Sequence, residues 1–165
     1  MRITLAVIAL ASLTALAACS GRTKAYEGPE ITHVYVFKEQ RALVLMSGTQ
    51  PVGIWDVDLG FDPVGHKQKK GDGKTPEGHY SINWQHPNSK YHRALAVSYP
   101  NDEDRRVARD AGRDPGGDIF IHGGPVLARD KGRADWTAGC ISVSDDEIED
   151  ISAMVRVGTP IDILP

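Results

Sequence analysis

Eight short runs of alternating or β-branched residues recur along the chain, each bounded by turn formers: residues 31–38, 41–47, 53–58, 78–84, 93–99, 118–122, 140–143 and 160–164. Runs of this length and period read as strands, and eight of them restrict the chain to a mostly β architecture. Glu39-Gln40 and residues 48–51 separate the first three runs as tight turns would, so the fold is expected to open as an antiparallel meander. Two segments break the pattern. Residues 101–111 offer Asn101 as an N-cap, acidic residues in the first turn and Arg105, Arg106 and Arg109 later, a polarity that suits the helix dipole; Gly112 ends the run. Ser144-Asp145-Asp146-Glu147 forms a capping box, with Ile148, Ile151 and Val155 at helical spacing and Gly158 and Pro160 as stops. The expectation is a single mostly β domain with two short α-helices.

The domain is expected over residues 31–165, because what precedes it does not read as folded protein. Residues 1–18 carry one positive charge, Arg2, then an apolar run and a small-residue ending, Leu16-Ala17-Ala18-Cys19. These are the parts of a secretory signal, and the apolar stretch is short for a membrane span. The same four residues resemble the lipobox of bacterial lipoproteins, which implies a lipid on Cys19 and an exported protein held at the periplasmic face of a bacterial membrane. Residues 19–30 then serve as acylated Cys19 and flexible tether. Removal of Arg2 with the signal takes the formal charge from −3 to −4, which leaves no basic field for nucleic acid.

With Cys19 lipidated, Cys140 has no disulfide partner, since the chain holds two cysteines. A lone thiol in an oxidising compartment points to use of its reactivity. Cys140 stands where the loop Trp136-Thr137-Ala138-Gly139 enters a strand, and His122 ends the apolar run Ile119-Phe120-Ile121, followed by Gly123 and Gly124. A thiol whose ordinary pKa is about 8.5 needs a base such as His122 to act as an acyl-transfer nucleophile. Backbone amides of Ala138, Gly139 and Cys140 are candidate oxyanion donors if Gly139 takes a backbone shape that other residues avoid. His33, His66, His79, His86 and His92 lack metal-ligand spacing, so neither metal nor cofactor is expected.

Between Phe61 and Glu77 lies a stretch too rich in Gly, Pro and charge for a regular element; its Lys67, Lys69, Lys70 and Lys74 read as a solvated charge run. Asp118 and Asp135 read as solvated carboxylates, and Trp136 as either a groove wall or a loop packer.

His122-Gly123 followed by Gly139-Cys140 resembles the histidine-glycine and glycine-cysteine signature of the L,D-transpeptidase catalytic domain, the YkuD family. Gly71-Asp72-Gly73-Lys74-Thr75-Pro76-Glu77-Gly78 resembles its glycine-rich TPEG segment, and Ser98-Tyr99-Pro100-Asn101 with residues 115–123 its central stretch, so the likeness covers residues 31–165. It implies a sandwich-like or barrel-like β fold, Cys140 as nucleophile, His122 as base and Gly139 as shaper of an oxyanion and substrate loop that includes Thr137, Ala138 and Gly123. It further implies attack on peptidoglycan stem peptides after the L-centre of diaminopimelate, release of D-alanine, a thioester, and transfer to an amine on another stem or a wall-linked protein. Water as acceptor would make a carboxypeptidase or amidase, and a non-catalytic wall-binding lipoprotein is the remaining alternative. Ala138 stands where many members have a second histidine, Thr137 where they have serine, and Ser142 where they have arginine. A substrate carboxylate would then need Arg129, Arg133 or another cation.

Overall fold

The computed structural model describes Lys24–Pro165; the signal peptide and lipidated Cys19 expected within residues 1–23 lie outside the described residues. Along the described chain run β1 (His33–Phe37), β2 (Ala42–Ser47), β3 (Gln50–Asp56), β4 (Gly78–Ser89), β5 (His92–Val97), α1 (Asp102–Asp110), β6 (Phe120–His122), β7 (Ile141–Ser142), α2 (Asp145–Met154) and β8 (Pro160–Leu164). Each of the eight apolar runs becomes a strand and both capped segments become helices, so the fold is mostly β with two helices. Residues 24–30 have no regular structure and lie along α2, where Lys24 Nζ meets Asp150 at 2.7 Å. No helix among the described residues is long and apolar enough to cross a membrane.

The strands form one continuous sheet in the order β3-β2-β1-β8-β4-β5-β6-β7. Strands β1 to β3 make the antiparallel meander, whereas β1–β8 and β6–β7 pair in parallel. Alternation decides which way the sheet faces. In β1 and β2, Val34, Val36, Leu43 and Leu45 point into the core and are fully buried, while their neighbours are half-exposed. The sheet curls around a core completed by Leu59, Ile82, Leu95, Ile121, Ile141, Ile148, Ile151 and Ile161, and burying each such side chain contributes about 1.5–3 kcal/mol.

Strand β4 is longer than its apolar run suggests. It continues through His86-Pro87-Asn88 to Ser89, because the β4–β5 register shifts between His86 and Ser89 and so leaves Pro87 at an irregularity where no ladder donor is required. Likewise β3 begins at Gln50, and the register shift between Leu45 and Met46 accommodates Pro51. Both helices start as capping boxes. The Asn101 side chain accepts from Asp104 N with Asp104 returning the bond, and Ser144 and Glu147 do the same.

The register across β4, β5, β6 and β7 sorts side chains onto two faces. Gln85, Leu95, Ile121 and Ile141 lie in one cross-strand row, and Gln85 Nε2 donates to Val155 O beyond the end of α2, so this face packs under that helix. The opposite face carries two rows: Trp84, Ala96 and Phe120, and His86, Ala94, His122 and Ser142. By the two-residue period Cys140, just before β7, belongs to the face of Ser142 and His122. The exposed β4–β5 hairpin and the candidate catalytic pair therefore share one surface.

Candidate active site

Cys140 and His122 line one cavity of about 480 Å³ together with Asp118, Phe120, Ala94, Tyr91, Lys90 and His86. Cys140 also lines a second cavity, of about 460 Å³, with Lys67, Lys70, Asp114, Asp118 and Ala138. The thiol thus stands between two openings.

His122 is 3% exposed. Its ring stacks on Tyr91, with centroids 4.5 Å apart, and takes the edge of Trp136 at 5.6 Å. Nδ1 lies 2.7 Å from Gly123 O. A carbonyl only accepts, so Nδ1 carries the proton and Nε2 keeps its lone pair, the tautomer that a base needs. Burial pushes the imidazole below its ordinary range, the Gly123 carbonyl opposes this, and the positive charge of Lys90 pushes the same way as burial. The Gly123 carbonyl is the orienting group for the imidazole, and it also accepts from Ser142 Oγ at 3.2 Å. Ser142, where the resemblance has arginine, is buried, and its hydroxyl is spent on backbone carbonyls.

Cys140 is partly exposed, and its Sγ donates to Asp118 O at 3.4 Å. Burial raises the thiol pKa. The Phe120 backbone opposes the rise, the Asp118 charge adds to it, and Lys67 and Lys90 oppose it more weakly. Taken singly, each direction favours the uncharged form of its group.

The loop that delivers Cys140 is held from several distant segments. Thr137, 4% exposed, donates through Oγ1 to Cys140 O at 2.7 Å and accepts from Gly139 N at 3.1 Å. Of the three candidate amides, the Gly139 N–H is therefore committed to Thr137. Gly139 has φ +131, a region that favours glycine, and a Cβ there would lie 2.6 Å from Lys74 O. A Cβ on Gly60 would run into Gly73 O and the Gly139 Cα. Three backbones meet here with no side chain between them. Thr75, fully buried, accepts from Gly60 N at 3.1 Å and completes the junction. Upstream, Arg41 grips both carboxylate oxygens of Asp135, whose Oδ1 also accepts from Leu59 N at 3.0 Å. Asp135 is thus a half-buried anchor of the loop, not a solvated carboxylate. Asp118 has φ +56 and presents its carbonyl to the thiol.

The lysine-bearing stretch is ordered by Asp72. Its two oxygens accept from Lys67 Nζ and from the backbone of Gln68, Lys69 and Lys74. Burial alone would raise this carboxyl, but the Lys67 bond and the three backbone donors hold it down at about 2. Lys67 is 3% exposed and ion-paired, which departs from a solvated charge run; Lys74 pairs with Asp62 at 2.8 Å. Arg129 and Arg133 lie on the outer loop near Asp130 and line neither cavity beside Cys140. The cations that do are Lys67, Lys70 and Lys90. Trp136 packs on His122 and Tyr91 and lines neither cavity. Among the remaining histidines, His33 and His79 flank Asp162, His66 reaches Asp104 at 3.3 Å, and His92 reaches Glu149 at 2.7 Å. Residue pairs such as Arg41 and Asp135, 94 positions apart, have no local signature, and Tyr91 and Lys90 lie in a hairpin that carries no motif.

A curled sheet thus sets a thiol at one strand end and an imidazole on the neighbouring strand. The sequence model of the YkuD L,D-transpeptidase catalytic domain matches residues 31–163, and the chain belongs to this family. YafK of Escherichia coli (strain K12), a presumptive L,D-transpeptidase, is 29% identical over 129 residues that cover 74% of this chain and 46% of YafK. The chain therefore spans about half the length of the curated relatives it matches. Among solved structures, the helical cell shape determining protein Pgp2 from Campylobacter jejuni superposes with a TM-score of 0.64 at 26% identity, over 84% of this chain and 49% of Pgp2. An L,D-transpeptidase from Mycobacterium smegmatis shares the fold, with a TM-score of 0.55 at 16% identity over 84% of this chain and 60% of its own.

Proposed function

We propose that this protein is a peptidoglycan L,D-transpeptidase in which Cys140 is the nucleophile and His122 the base. The observation that carries this reading is the placement of the two groups on one sheet face and in one cavity: a thiol held by Asp118 O and an imidazole whose Nδ1 proton is fixed on Gly123 O. When a stem enters, His122 Nε2 takes the thiol proton as sulfur attacks the carbonyl at the L-centre of diaminopimelate. The oxyanion lodges on the amides of Ala138 and Cys140. Collapse breaks the C–N bond, His122 returns the proton to departing D-alanine, and a thioester remains on Cys140. An acceptor amine then attacks the thioester and gives its proton to His122, the C–S bond breaks, and His122 returns that proton to the Cys140 sulfur. The two openings beside Cys140 support transfer, since donor and acceptor can approach from different sides. The second cavity mixes Asp114 and Asp118 with Lys67 and Lys70, a lining that suits an acceptor carrying both an amine and a carboxylate, on a second stem or on a wall-linked protein. Export and lipidation at Cys19 would place the domain at the wall with no cofactor.

The test is the intact mass of the protein after exposure to tetrapeptide stem. A thioester adduct with release of D-alanine is expected, absent in Cys140→Ala. D-alanine release that survives this substitution refutes the assignment. Product masses separate the outcomes, new cross-links meaning transfer and shortened stems meaning hydrolysis.

A further inference from the structure

Trp84 is the large exposed aromatic of the β4–β5 hairpin, 53% exposed, and no part of the acyl-transfer machinery above uses it. Its ring stacks on His86 with centroids 4.9 Å apart and planes 22° from parallel. His86 in turn lines the cavity that holds Cys140 and His122. The register puts Trp84 level with Ala96 and Phe120, and His86 level with Ala94 and His122, all on one face. Between the aromatic pair on β4 and the site on β6 the floor is made only of Ala94 and Ala96. Two small side chains flanked by larger ones make a trough. Cys140, just before β7, is level with Phe120 and Trp84, and with strands roughly 4.8 Å apart the three spacings place Trp84 roughly 14 Å from it.

We propose that the stacked Trp84–His86 pair seats an amino-sugar ring of the glycan strand that bears the donor stem, an inference that rests on the transpeptidase reading. In a tetrapeptide that loses its terminal D-alanine, three residues separate the reacting carbonyl from the sugar. At about 3.3–3.6 Å per extended residue they span roughly 10–11 Å, and the lactyl group that joins the stem to the sugar adds about one residue length more, which together match the roughly 14 Å between Trp84 and Cys140. The stem then lies across Ala94 and Ala96 with its carbonyl at Cys140, and the sugar arrives over Trp84. An exposed indole offers a flat π face to the C–H face of a pyranose. The other exposed apolar side chains, such as Ile54, Val64 and Val157, have no such continuity with the site.

The test compares two ligands on the non-reacting Cys140→Ala protein by calorimetric titration: the free tetrapeptide and the same tetrapeptide on its disaccharide. With Trp84 present the disaccharide form should bind about tenfold more tightly than the free peptide, and in Trp84→Ala that ratio should fall to about one, with Trp84→Phe between. A ratio near one with Trp84 present, or a tenfold ratio that survives Trp84→Ala, overturns the proposal. So does a change in sedimentation on Trp84→Ala, which would make this face a self-association surface. A peptide-free N-acetylglucosamine oligomer, read by saturation transfer, separates the two readings. Contact with the oligomer that Trp84→Ala abolishes, with no binding of either stem, refutes the stem substrate and retains the sugar seat. An oligomer that gives no contact when neither stem binds overturns both.

Discussion

Replacing Thr137 by valine keeps the shape of a buried side chain and deletes a single hydroxyl that bridges the Cys140 carbonyl and the Gly139 N–H. Both groups would be left buried without that partner. Each such loss costs about 1–3 kcal/mol, so the fold should lose roughly 2–6 kcal/mol, and at this chain length each kcal/mol moves the melting temperature by about 3–4 °C. The kinetic effect should be larger in proportion. The hydroxyl is what pulls the Gly139 amide inward, so its removal lets Gly139 turn and displaces the proposed oxyanion donors, Ala138 and Cys140. Loss of one such donor raises a barrier by about 3 kcal/mol, or about 10²-fold in rate. The assay is the rate of Cys140 acylation by a carbapenem, the inhibitor class expected to acylate this family, followed by intact mass, beside thermal unfolding. Thr137→Ser keeps the hydroxyl and should acylate within about threefold of the parent. A valine variant that acylates at the parent rate would refute the assignment of Thr137 as the brace of this loop.

Gly139→Ala should abolish acylation, because it combines a strained φ of +131 with a Cβ 2.6 Å from Lys74 O; undiminished adduct formation by intact mass would contradict this. Arg41→Gln removes the grip on Asp135 and should slow acylation about tenfold while leaving β1 and β2 folded by circular dichroism. The rate of acylation should fall on the acid side with a midpoint below the ordinary imidazole value of about 6.5, since burial depresses His122 and only its neutral form accepts the thiol proton. A midpoint above that value in a pH–rate profile would overturn the depressed value assigned to His122. Asp72 is held at about 2 in the fold against about 3.9 when free, so the stability it contributes is complete above the free value and is lost as pH falls toward 2; Asp72→Asn should flatten the acid limb of a melting-temperature profile.

Strands and helices were legible because each announces itself within a few residues: period-two runs for the sheet, Asn101 and Ser144 for the caps. Strand β4 ran past its apolar run because Pro87, normally a terminator, falls where the register slips and no donor is needed. The candidate pair Cys140 and His122 stood out through chemistry and motif. Their supports did not. Arg41 and Asp135 are joined only by the folded chain, and Gly60 looks like any glycine until the Gly73 and Gly139 backbones are seen against it. Lys67 read as one of several solvated lysines, because nothing local says that Asp72 folds back over it.

The raised pKa of the Cys140 thiol bears on durability in the compartment where the protein is expected to work. Oxidants and disulfides react with thiolate, and a thiol whose pKa is raised by burial presents little of it. The proton that His122 removes during attack is, between turnovers, a chemical safety catch. Under the proposed export it would keep Cys140 usable in an oxidising compartment.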